Sequence, residues 1–81
     1  MAEVTHLYPT KTRVALLQDV ADGKVADDAD GTPSLDLGDE RARVATAVWE
    51  QAAAGWVEQV AGSLVWSVTE LGRRVLEAYG S

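Results

Sequence analysis

The chain is 81 residues long, room for one domain with one modest core and no second site-bearing unit. Hydrophobic residues make up 47% and charged residues 25%, which is globular rather than disordered, and the absence of cysteine excludes disulfides, thiolate nucleophiles and cysteine metal sites. The net charge of -6 lies in one place: Asp22–Glu40 holds seven acids and one base, and the rest of the chain has six of each. A near-neutral domain with one acidic insert is the reading, so any surface must be judged by which side of the insert it faces. Met1–Thr10 has no apolar stretch behind a basic start, and no apolar run reaches the ~18 residues that span a bilayer. A cytoplasmic protein without membrane contact is expected.

Residues 1–9 read as an N-terminal arm ahead of a domain over 10–81. Pro9 biases Tyr8 away from helix. Thr10 can cap a first helix over about 10–22, whose Val14, Leu17, Val20 and Ala21, with Leu16 at the edge, recur at three- and four-residue spacing. Gly23 sits where a left-handed C-cap glycine would end it.

Asp30-Gly31 is a tight-turn signal, with Val25 before it and Leu35 and Leu37 after it. Leu35 and Leu37 would share one face of a strand, and Pro33 places that strand at an edge or starts it later. The acidic segment is either a short hairpin or an irregular loop. Gly38-Asp39-Glu40 is expected to open a second helix over about 39–54, with Asp39 as its cap and Arg41 and Arg43 in its first turn. Val44, Ala45, Val48, Trp49 and Ala52 form its apolar stripe, and Gly55 closes it.

Trp56–Val60 and Leu64–Val68 flank a turn at Ala61-Gly62-Ser63 and read as a hairpin. Thr69 caps a third helix whose Leu71, Val75, Leu76 and Tyr79 share a stripe, ended by Gly80. Gly72 inside the first turn costs about 1 kcal/mol against alanine, which points to close backbone packing there. The expected core joins Trp49, Trp66 and Leu71, with Trp56 partly exposed. The fold class is α+β: three helices, a C-terminal hairpin and a possible second small hairpin.

The run VATAVWEQAAAGWV (44–57) resembles the end of a recognition helix followed by the start of a wing. The run WSVTELGRRVL (66–76) resembles the exit from a wing into a closing helix. At their observed spacing the two are similar to winged-helix regulators of the MarR- and PadR-like kind, and to small phage or actinobacterial proteins on that fold. The resemblance implies a dimeric transcriptional regulator that binds double-stranded DNA. Arg41 and Arg43 would read the groove, and Lys11 and Arg13 would touch the backbone. The pattern departs in one place: the positioning helix that should precede the recognition helix is replaced by the acidic segment. The alternative is therefore an acidic protein-interaction module on the same scaffold, contacting a host or partner protein through Asp27, Asp28, Asp30 and Trp56. Tyr8, Trp56 and Tyr79 are candidates for a homodimer interface.

Other residues favour plain roles. His6 is the only histidine and has no oriented partner for general-base work. Asp27, Asp28, Asp30 and Gly31 fail a calcium-loop register, because Ala26 would hold the first ligand position and Leu37 the twelfth. Arg73 and Arg74 are assigned to packing or an ion pair. With no phosphate-binding glycine loop, no paired carboxylates and no Ser/His/Asp set, neither an enzyme nor a cofactor, metal or catalytic residue is expected.

Overall fold

The computed structural model describes residues 7–80. Within them the order is α1 (Lys11–Ala21), β1 (Val25–Asp27), β2 (Pro33–Asp36), β3 (Arg41–Arg43), α2 (Ala45–Ala53), β4 (Val57–Gln59), β5 (Trp66–Val68) and α3 (Glu70–Tyr79). The fold is α+β, with three helices, an antiparallel sheet in the order β1-β2-β3 and an antiparallel pair β4-β5. A single bridge between Ala26 and Val65 joins the two sheets. No helix among the described residues is long and apolar enough to cross a membrane. The N-terminal residues through His6 lie outside the described part.

Local chemistry explains the first and last helices. The Thr10 hydroxyl accepts from the Arg13 amide at 3.2 Å, and the Thr69 hydroxyl from the Gly72 amide at 3.1 Å. Each satisfies one of the amides that a helix start leaves without a partner. Gly23 and Gly55 take positive φ just beyond α1 and α2, as C-terminal glycines do.

The acidic segment folds as a hairpin rather than a loop. Asp28 and Thr32 close a three-residue turn in which Gly31 has φ +77°. Pro33 begins β2 but does not mark an edge. β2 is the central strand, and Pro33 keeps its place by supplying only its carbonyl, which accepts from the Val44 amide at 3.1 Å. Leu35 is half-buried against the core, whereas Leu37 lies past the end of β2 and is exposed.

The second helix starts later than the sequence suggests. Residues 41–43 form a third strand, and α2 begins at Ala45 with Val44 as an N-cap lacking any side-chain bond. Asp39 caps no helix. Gly38-Asp39 is a two-residue hairpin loop: Leu37 donates to the Glu40 carbonyl at 2.9 Å and Gly38 has φ +91°. A strand here covers the outer side of β2, which a helix from residue 39 would leave open.

The core comprises Leu16, Leu17, Val20, Val25, Val48, Ala54, Trp56 and Val57, with Trp66, Val75 and Leu76 packed against it. Two tryptophans exchange their expected places. Trp56 is 4% exposed and central, while Trp49 is 55% exposed. The buried side of α2 carries Val48 and Gln51, so Trp49, one residue on from Val48, turns outward. Leu71 is 45% exposed and lies beside Gly55, outside the set of residues packed on the core, so a joint Trp49–Trp66–Leu71 core does not form.

Candidate functional site

The four candidate bases are all on the surface or at its margin, but not as a recognition-helix cluster. Arg41 and Arg43 are exposed on β3, outside α2 altogether. Arg43 reaches Asp30 at 3.6 Å, and both side chains are about three-quarters exposed. Arg13 donates from Nη1 to the Tyr8 carbonyl at 3.0 Å, and Lys11 is exposed at the start of α1. The helix that should face a groove presents Thr46, Trp49, Glu50 and Ala53 to solvent.

The candidate acids have local tasks. Asp27 accepts from Trp66 Nε1 at 2.8 Å and from Gln59 Nε2 at 3.0 Å, which anchors the β4-β5 hairpin to β1. Asp28 accepts from the amides of Asp30 (2.9 Å) and Thr32 (3.2 Å) and from the Ser34 hydroxyl (3.2 Å). The Thr32 and Asp30 amide bonds hold its carboxyl below the usual aspartate value, with smaller help from Ser34 and Arg43 and a small opposing effect of burial. Asp30 alone of the three is exposed. Trp56, the fourth candidate in this set, is buried and offers no contact surface. Among the described residues no group of three acidic or histidine side chains is arranged to hold a metal ion. Of the aromatic residues expected at a dimer interface, Tyr8 and Tyr79 are exposed and Trp56 is not.

Arg74 pairs with Glu70 one helical turn away at 3.4 Å, an exposed contact worth little. Arg73 lines a groove of about 350 Å³ with Val20, Gly23, Trp66 and Val68, between the end of α1 and β5. A second, more apolar groove of about 310 Å³ lies between α1 and α2, lined by Leu16, Leu35, Val44 and Ala47 with Arg13 and Asp19.

One sequence signal for function lies in what is missing from a stretch. From Val44 to Gly72 there is no lysine, arginine or histidine, and there are three acids: Glu50, Glu58 and Glu70. That stretch holds all of α2 and the whole β4-β5 hairpin. Exposed Trp49, Val60, Leu64, Val65 and Leu71 also fall within it.

The chain matches no protein-family model, no curated protein and no solved structure.

Proposed function

We propose that this protein is a non-catalytic protein-binding module built on a winged-helix type of scaffold. The scaffold reading draws support from the order of the last elements: α2, a left-handed Gly55, the β4-β5 hairpin as the wing, and α3 capped by Thr69. The observation that carries the binding reading is the base-free stretch from Val44 to Gly72. Recognition helix and wing are the two parts of a winged helix that meet DNA. Affinity for DNA comes largely from lysine and arginine displacing counterions at phosphates. Here both parts carry carboxylates and exposed apolar side chains instead, a composition suited to another protein. Self-association through Tyr8 and Tyr79 belongs to the same reading.

The deciding experiment is a titration of the full chain with fluorescent random-sequence duplex at about 50 mM salt, where phosphate contacts are strongest. No saturable binding is expected. Saturable binding that steepens at low salt and is lost in Arg41→Ala and Arg43→Ala would establish a DNA-binding regulator and overturn the proposal. Sedimentation at about a hundred micromolar reads the self-association, and a clean monomer removes that part.

A further inference from the structure

The protein-binding reading rests on α2 and the β4-β5 hairpin, and the hydrogen-bond phase of β3 points to a second surface outside them. Val44 donates to the Pro33 carbonyl, and Leu37 to the Glu40 carbonyl, so 33/44 and 37/40 are hydrogen-bonded pairs. Alternation along the β2-β3 register makes Leu35/Ala42 the bonded pair between them. Ser34/Arg43 and Asp36/Arg41 are the intervening pairs, in which backbone groups point away from the partner strand. Among the described residues β3 has no strand neighbour on its other side. Its outer edge therefore presents two N–H donors and two carbonyls, those of Arg41 and Arg43.

The two faces of that edge differ. Arg41 and Arg43 project from one face, with Asp36 opposite Arg41 and Asp30 at 3.6 Å from Arg43. Ala42 lies on the other face, which it shares with Leu35, a wall of the apolar α1–α2 groove. An added strand would thus meet cations at alternate positions and apolar surface between them.

We infer that the outer edge of β3 captures an extended segment of a partner protein as a fourth strand. The segment carries acidic residues at alternate positions against Arg41 and Arg43, and apolar residues between them against Ala42 and the groove. The Asp30–Arg43 pair does not block this. An ion pair so exposed is worth little, and Arg43 can exchange one carboxylate for another at small cost. A second copy of the chain is the poorer occupant, because antiparallel pairing of two β3 edges sets arginine against arginine.

The inference rests on the protein-binding reading, and its test is separate from the duplex titration. The full, isotope-labelled chain is titrated with a blocked peptide of alternating aspartate and valine, about seven residues long and so long enough to span the strand. Amide shifts at Arg41, Ala42 and Arg43 are expected, with binding that weakens as salt rises. Arg41→Pro removes one outward donor and one charge, but no bond to β2, and should weaken binding about five- to tenfold. Arg43→Gln removes charge alone and should weaken it less. The double variant Arg41→Glu, Arg43→Glu should prefer the peptide with lysine in place of aspartate. An Arg41→Pro variant that keeps its fold, seen by circular dichroism, and binds the peptide as tightly as the wild-type chain would overturn the inference. Equal binding of the lysine peptide to the wild-type chain, shifts confined to other elements, or no binding at millimolar peptide would also overturn it. If the peptide fails and the duplex fails too, only the edge assignment falls. Saturable duplex binding removes the reading beneath it.

Discussion

The indole N–H of Trp66 donates to Asp27 at 2.8 Å across 39 positions of sequence, and the other oxygen of the same carboxylate accepts from Gln59. One acid of the insert thus fixes the β4-β5 hairpin from both of its strands. The Asp27 amide adds a bond to the Leu64 carbonyl at 2.8 Å. The hairpin's orientation depends on these contacts because β4 and β5 are only three residues each.

Replacing Asp27 by asparagine keeps one acceptor and turns an amide toward the second donor. A half-buried bond to a charged group is lost, so Asp27→Asn should cost about 1–3 kcal/mol. Trp66→Phe removes the donor and should cost a similar amount. With Asp27→Ala, which leaves no acceptor for either donor, the loss should be less than additive with that of Trp66→Phe in a double-mutant cycle, because the two share one bond. Urea midpoints with unchanged slope check this; full additivity would mean that the bond contributes nothing.

Gly72 makes the opposite kind of prediction. In a helix, alanine is ordinarily favoured over glycine by about 1 kcal/mol. At this position a Cβ would overlap the Trp56 carbonyl oxygen and lie 2.7 Å from Val68 Cγ1. That carbonyl also accepts from the Thr69 amide at 2.9 Å, so it cannot swing aside without loosening the start of α3. Gly72→Ala should therefore destabilise by about 1–3 kcal/mol, the usual range for an overpacked site. Thermal denaturation that shows no loss would mean that α3 packs elsewhere.

Much of the frame was legible because it rests on short-range rules. Thr10, Gly23, Gly55, Thr69 and Gly72 each signal a cap, a left-handed turn or a close approach within a few residues. The start of α2 was harder to read. Gly38-Asp39 followed by Glu40 fits an acidic helix start and also a two-residue hairpin loop, and only the open side of β2 decides between them. Arg41 and Arg43 moved from helix to strand on that one choice. The tryptophans were ambiguous for another reason. In an alanine-rich helix the apolar arc is wide, so periodicity does not locate its centre. The lack of bases from Val44 to Gly72, in contrast, was there to be counted.

The exchange of tryptophans gives a paired prediction. Trp56→Ala removes a buried indole from the centre of the core and should cost about 3–5 kcal/mol, approaching the whole stability of so small a domain. Trp49→Ala removes an indole that is more than half exposed and should cost less than about 1 kcal/mol. Leu71→Ala should resemble Trp49→Ala. Iodide quenching of the remaining fluorescence in Trp56→Phe and Trp49→Phe gives an independent check. Loss of Trp49 should remove the most quenchable component, and loss of Trp56 should remove a protected one.

Acid titration tests the first turn of the insert. The Asp28 carboxyl is held below its unfolded value chiefly by the Thr32 and Asp30 amides, so the folded state binds its proton less readily than the unfolded chain does. The contribution is therefore fully present above the ordinary aspartate range, about pH 4. It declines as pH falls through that range and is gone below the lowered folded value. Asparagine at this position still accepts from both amides but does not titrate. Between about pH 5 and pH 2, the wild type should lose stability relative to Asp28→Asn, and above pH 5 their difference should stay constant. Parallel curves of unfolding free energy across the whole range would show that the turn's amide bonds do not favour the charged carboxylate. A difference that grew on the alkaline side would put the relevant proton on another group.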